Sequence, residues 1–291
     1  MNDLALLPTR RTEAWKYSDL RAALDDEAPV LRDGRDIIER LAPATDRSAV
    51  QAGEQRIVVE RLDAAEPIHA RASEWSVAEG GSLTRIVMQS ADAVTLSMCR
   101  VHLAPRARFR QFVLAEGGKL ARIETHVDVA GASAHVELNG VYLCNSGRHA
   151  DLTSVIDHRE AAGQTRQLIK GVARKRGRGV FQGKIVVERG AQKTDARQYH
   201  HGMLLEEGAE IFAKPELMIH ADDVQCAHGN TAGGLDERAL FYMRARGVPE
   251  AQARALLIES FLVEAIPEGL PEDLHAELTQ RIRAWLSGGA A

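Results

Sequence analysis

Through the middle of the chain, apolar and polar residues alternate in short runs. "RIVVERL", "ARIETHVDV", "HVELNGVYL", "GVFQGKIVVE" and "PELMIHA" are examples, separated by Gly, Asp or Asn. In "ARIETHVDV", Ile123, Thr125, Val127 and Val129 fall on one strand face, and Arg122, Glu124, His126 and Asp128 on the other. The pattern predicts strands with one dry and one wet face. At both ends the period lengthens. From Asp3 to about Leu41 the chain is rich in Ala, Leu, Arg and Glu, and Ile37, Ile38 and Leu41 recur at helical spacing before Pro43. After Gly229, Gly233 and Gly234, "LDERALFYMRARG" has Asp236 and Glu237 at its start, Arg244 and Arg246 near its end and Gly247 as a stop, as a helix dipole and its caps require. A second helix is predicted from Pro249 to before Pro267, with Leu257, Phe261 and Ala265 on one face. A third follows Pro271 with a Leu274, Leu278, Ile282, Leu286 stripe. The expected organisation is a helical region over 1–55, a β core over 56–232 and a helical region over 233–291.

The strands carry a faint repeat. Gly-Ala pairs follow apolar strand ends at 131–132, 190–191 and 208–209, and "VHLAPRARFRQF" is a degenerate copy with Pro105 at its turn. Short strand, small corner, short strand, without long helices between, suggests a mainly β fold of stacked coils, each covering the apolar face of the last. Alternation alone leaves a β-sandwich or jelly roll open as well. The C-terminal helices would then either cap an exposed sheet edge or dock a partner.

Composition narrows the partners. Among 291 residues, 37 basic and 41 acidic side chains give a formal charge of -4, so no global field draws the protein to nucleic acid or an anionic membrane. The three cysteines, Cys99, Cys144 and Cys226, form no CxxC and no even framework, which suits a reducing compartment. The opening residues lack the apolar core of a signal peptide, and no run approaches the roughly 20 apolar residues of a membrane span. A soluble cytoplasmic protein is expected.

One pair carries candidate chemistry. On an extended strand Cys226 and His228 point the same way, with Gln225 and Ala227 opposite. Sulfur and imidazole side by side are half of a tetrahedral zinc or iron-sulfur site, a candidate nucleophile and base, or simply a packed thiol beside a hydrogen-bonded ring. "RKRGRG" at 174–179 could grip phosphate but reads more simply as a solvated loop, while the adjacent His200 and His201 face opposite ways. No GxxxxGK[ST] is present, so the chain is not expected to hydrolyse nucleotide.

The stretch "GRGVFQGKIVVERGAQKTDARQ", with "LLEEGAEIFAKPELMIHADDVQCAHGNTAGGLDERALFYMRARGV" after it, resembles the core signature of the SufB/SufD family of iron-sulfur cluster assembly proteins; "PTRRTEAWKYSDL" resembles the SufD branch. The resemblance implies a right-handed parallel β-helix between helical ends, acting as a non-catalytic scaffold. It also implies pairing with a SufB-like subunit through the core, or with a second copy of itself, and docking of a SufC-like ABC ATPase on residues 235–266. Leu235, Leu240, Phe241, Tyr242, Arg244 and Arg246 are the expected contacts. A transient iron-sulfur cluster would form at the subunit interface, with His228 as a transient iron ligand and Cys226 as the weaker candidate, and no cofactor would stay on the isolated chain. "EEGAEIFAKP" lacks the cysteine of SufB-like chains, which leaves the main sulfur acceptor on another chain, and "RQYHHG" departs from an Asn-rich family segment, so no role passes to His200 or His201. A stand-alone Cys-His or metal-dependent enzyme is the rival reading.

Overall fold

The computed structural model describes residues 3–25, 29–64 and 66–288. Fourteen strands make the body: β1 (Thr45–Val50), β2 (Gln55–Leu62), β3 (Ile68–Val77), β4 (Ser82–Gln89), β5 (Val94–Leu103), β6 (Arg108–Ala115), β7 (Leu120–Val129), β8 (His135–Cys144), β9 (His149–His158), β10 (Gln164–Ala173), β11 (Arg178–Val187), β12 (Asp195–Leu204), β13 (Glu210–Ile219) and β14 (Gln225–Gly233). The odd strands form one seven-stranded sheet and the even strands another, each in chain order. All pairs within the sheets are parallel. Consecutive strands therefore alternate between sheets, the path of a chain wound in coils of about 30 residues. Of the architectures that alternation left open, the parallel β-solenoid is the one adopted.

Each strand sends alternate side chains inward, where Leu83, Val101, Phe109, Val127, Ile156 and Ile185 of successive coils pack between the sheets. The corners repeat too. Arg106, Ser133, Ala162 and Lys193, one per coil, have φ of 58°, 58°, 59° and 62°. This left-handed conformation costs an L-residue roughly 1–2 kcal/mol. Hydrogen bonds along the stack offset it: Arg106 N–H donates to Ala132 O (2.9 Å), Ser133 N–H to Ala161 O (2.9 Å) and Ala162 N–H to Gln192 O (2.8 Å). The Gly-Ala pairs sit at corners, and Gly131 is required there because a side-chain carbon would lie 2.0 Å from Pro105 N of the preceding coil.

The terminal regions cover the flanks of the solenoid. Short helices α1 (Leu20–Ala23) and α2 (Ile37–Leu41), with the preceding segment, lay Leu7, Trp15, Leu20 and Ile38 on Leu96, Met98 and Leu120 of the odd sheet. This changes the wet face expected of β7. Arg122 is buried, its guanidinium 4.2 Å from the Trp15 ring centre and ion-paired to Asp151 and Glu124 at 2.8 Å each. Three C-terminal helices follow: α3 (Glu237–Ala245), α4 (Glu250–Val263) and α5 (Glu272–Ser287). Instead of capping the last coil, α4 and α5 lie on the outer face of the even sheet, with Ile258, Leu262, Leu278 and Ile282 against Ile86, Met88, Phe112 and Val141. The buried face of α4 is therefore Ala253, Ile258 and Leu262, one residue round from the expected Leu257 and Phe261. Nor is "RKRGRG" a free basic loop. Arg174 is buried, 3.9 Å from the Trp285 ring centre, and donates to Trp285 O at 2.8 Å, tying α5 to the sheet at its C-terminal end. Among the described residues no helix is long and apolar enough to cross a membrane.

Candidate functional site

Cys226 and His228 lie on β14, which pairs only with β12 and so forms the outer edge of the even sheet. Cys226 is in register with Ala196, His228 with Gln198 and Asn230 with His200. Those three β12 residues are fully buried, facing the solenoid interior. Partners in register share a face, so Cys226, His228 and Asn230 also face the interior line. No further coil covers them. Cys226 remains half-buried against the apolar interior, while His228 is exposed. The common face expected of the pair is present, but the two environments differ.

Burial, with Asp195 nearby, pushes the Cys226 thiol up against the opposing effect of a hydrogen bond with the Ala196 backbone, the reverse of thiolate activation. Among the described residues no three His, Cys, Asp or Glu side chains converge to hold a metal. A cluster at this edge would need ligands beyond those the described residues bring together.

The interior row that ends at His228 explains more of the site than the pair does. Arg85, Gln111, Leu138, Gln167, Gln198 and His228 occupy successive rungs of the even sheet. Deep inside, Arg85 donates twice to Glu60 at 2.8 Å and once to Gln111 Oε1 at 2.7 Å, and Gln111 Nε2 donates to Thr125 Oγ1 at 3.0 Å. Further along, Gln167 Nε2 donates to Ser154 Oγ at 2.8 Å, but its Oε1 has no partner among the described residues. At Gln198 neither amide atom has one. The cause lies in the facing row, where Thr125, Ser154 and Gly183 are in register: the hydroxyl that serves each earlier glutamine is replaced by glycine. A side-chain carbon at Gly183 would sit 2.0 Å from Gln198 Nε2, so the glycine makes room for the amide it leaves unsatisfied. A buried amide without partners costs about 1–3 kcal/mol per atom unless something supplies them. Gln198 is thus an open donor and acceptor one rung from His228.

His200 anchors the same edge. Its ring stacks on Phe181 and Tyr142 with centroids 5.3 and 5.9 Å away. Burial pushes its pKa down to about 4, although the hydrogen bond to Asn230 opposes the shift, so the ring is neutral at pH 7. Asn230 Oδ1, 2.6 Å from Nδ1, can only accept, so Nδ1–H donates to it, and Nε2 accepts from the Tyr142 hydroxyl at 2.9 Å. On the outer face His201 Nδ1 meets Thr231 Oγ1 at 2.7 Å. The adjacent histidines do face opposite ways, and both hold β14. Their partners lie 30 residues on in the next coil, where neighbouring sequence gives no sign of them.

The expected docking residues separate on α3. Leu240 is 2% exposed, and Leu235 is partly buried against the apolar cluster under the helices. Phe241 and Tyr242 are 73% and 59% exposed, and Arg244 and Arg246 are exposed beside them, with the Arg246 guanidinium 5.0 Å from the Tyr242 ring centre.

A two-sheeted parallel β-solenoid with helical flanks and an imidazole on its open edge is the class that fold and site define. The SUF system FeS cluster assembly, SufBD core domain matches residues 42–261, and the chain belongs to this SufB/SufD family. It is similar to the iron-sulfur cluster assembly protein SufD of Escherichia coli, 33% identical over 174 residues, which are 60% of this chain and 41% of that protein. The chloroplastic protein ABCI7 of Arabidopsis thaliana is 37% identical over 176 residues, 60% of this chain and 37% of that one. A SufBD-family assembly protein of Mycobacterium bovis aligns with 95% of this chain and 74% of its own length at 26% identity. The chain spans less than half the length of the first two relatives.

Proposed function

We propose that the chain is a SufD-like scaffold subunit of the iron-sulfur cluster assembly system. The observation that carries this reading is the position of His228, on the interior line of the solenoid yet exposed because β14 is the last strand. The unpaired edges of β13 and β14 are templates for strand addition, and Met218 and Ile219 on β13 are 43% and 42% exposed beside them. A SufB-like subunit seated on this end brings its own ligands to His228, and Gln198 stands one rung behind with both amide atoms open. The neutral imidazole ligates iron without adding charge, which suits a cluster that must later leave. The exposed face of α3, with Phe241, Tyr242, Arg244 and Arg246, is the docking surface for a SufC-like ABC ATPase, while α4 and α5 hold it to the sheet. The chain itself is the non-catalytic partner.

Co-expression with SufB-like and SufC-like chains, followed by mass determination of the complex, tests the assembly; a homodimer alone would replace the heteromeric reading. In the assembled complex, His228→Ala is expected to reduce cluster maturation with the complex intact, and normal maturation would remove His228 from the site. Phe241→Ala with Tyr242→Ala is expected to release the ATPase. Unchanged copurification would move its docking surface elsewhere.

A further inference from the structure

A second site stands on the outer face of the even sheet, away from the open end. α4 and α5 cover the C-terminal halves of its strands, where Ile86, Met88, Phe112 and Leu114 lie. Over the N-terminal halves a groove of about 870 Å³ is left open. One wall is the connection between the two helices, fixed where Arg110 Nη1 donates to Glu268 O at 2.8 Å.

Parallel register makes the floor of this groove a row of donors. Gln55, Ser82, Arg108, His135 and Gln164 occupy successive rungs of β2, β4, β6, β8 and β10. Their chain neighbours Leu83, Phe109, Val136 and Thr165 are buried inside, so the row faces out. Rungs repeat every 4.7–4.9 Å or so, and the row presents side-chain N–H and O–H groups at that interval. Arg56, Arg106, Arg110 and Arg166 join Arg108 around the groove, and the one carboxylate in its lining is Glu137.

Four of the five arginines have carboxylate partners: Arg56 with Glu54, Arg106 with Glu79, Arg110 with Glu137 and Arg166 with Asp195. Of these carboxylates only Glu137 lines the groove, the others standing outside it. Arg108, at the centre of the row, is exposed, and among the described residues its guanidinium has neither a carboxylate partner nor a hydrogen bond, while its backbone N–H donates to Gly81 O at 2.9 Å. His135 beside it registers the local field, its pKa lowered by burial and then by Arg108, against a hydrogen bond with Gln164.

We propose that this groove binds a phosphate-bearing small molecule, its phosphate oxygens lying along the Ser82, Arg108, His135 and Gln164 row. Several evenly spaced donors call for a ligand with several acceptor oxygens, and an unpaired guanidinium matches phosphate through two parallel N–H donors. The volume is that of a small-molecule pocket, and the helix connection closes a side that an extended polymer would need open.

Calorimetric titration of the full chain with inorganic pyrophosphate, ADP and citrate at about 0.15 M salt tests the proposal. Saturable binding of pyrophosphate or ADP is expected, weakened about tenfold or more by Arg108→Gln and unchanged by Arg189→Gln, an exposed arginine outside the groove. Absence of saturable phosphate binding would overturn it, as would equal weakening by the two variants, which marks general charge attraction. Citrate bound as tightly as pyrophosphate would overturn the phosphate class. Arg108 is exposed, so its variant keeps the fold, and an unchanged melting temperature checks that. No outcome depends on SufB-like or SufC-like partners, so the groove stands or falls apart from the scaffold reading.

Discussion

The middle coils and the last coil are built from the same alternating strands, yet they solve the problem of buried polarity in opposite ways. Around Arg85 and Gln111 every side-chain donor of the interior row meets an acceptor, and a flank covers each sheet. Along the row toward β14 satisfaction falls off: Gln167 has one amide atom paired, Gln198 none, and His228 is open. A solenoid can seal its interior only where another coil follows. Where coils stop, its inner polar row becomes a surface feature, and there the chain places its candidate ligand.

Substitutions along that row sharpen the contrast. The largest effect is expected from Arg85→Leu, which strands the Glu60 carboxylate in the interior. Burial pushes that carboxyl up, and Arg85 holds it below its ordinary value. Urea unfolding should show a loss of about 3–5 kcal/mol.

Acid acts next. His149, His158 and His200 are each pushed down to about 4 from 6.5, chiefly by burial. The folded state thus holds them neutral where the unfolded chain would bind protons. Their contribution is complete above about pH 6.5 and is lost as pH falls toward 4, about 2 kcal/mol for each by pH 5. Of the three, only His200 touches the last coil, through Asn230. His200→Asn should therefore flatten part of the unfolding profile between pH 6.5 and 4, and acid should raise hydrogen exchange in β14 before β8.

Gln111→Leu and Gln198→Leu make the same change in the two environments. The first leaves Arg85 and Thr125 short of a partner and should cost about 2 kcal/mol; the second removes an amide that no described group serves and should be neutral to stabilising, by up to about 2 kcal/mol. Equal losses would erase the distinction between covered and open coils. The smallest effect on folding is expected at exposed His228→Ala, within about 0.5 kcal/mol, in contrast to the loss of cluster maturation proposed for that variant.

Period-two alternation made most strands legible, and Gly-Ala corners made stacking legible, because both are local. β1 was missed: its sequence "TDRSAV" has little apolar alternation, and it is a strand because β3 offers it an edge. Arg122 read as wet because Trp15, which covers it, lies far back in sequence. The helical stripes showed that apolar surface had to be buried, but could not say against what; the outer face of the even sheet supplied the answer. At the site, the shared face of Cys226 and His228 followed from spacing alone. Gln198 did not, since its open amide depends on a glycine in the facing sheet.

The opening segment also reaches the far end of the molecule. Tyr17 stacks on Phe212 with centroids 5.2 Å apart, and Glu13 pairs with Lys214 at 2.5 Å across a separation of 201 residues. During synthesis residues 13–17 are made well before their β13 partners, so this clasp can close only after β13 has emerged.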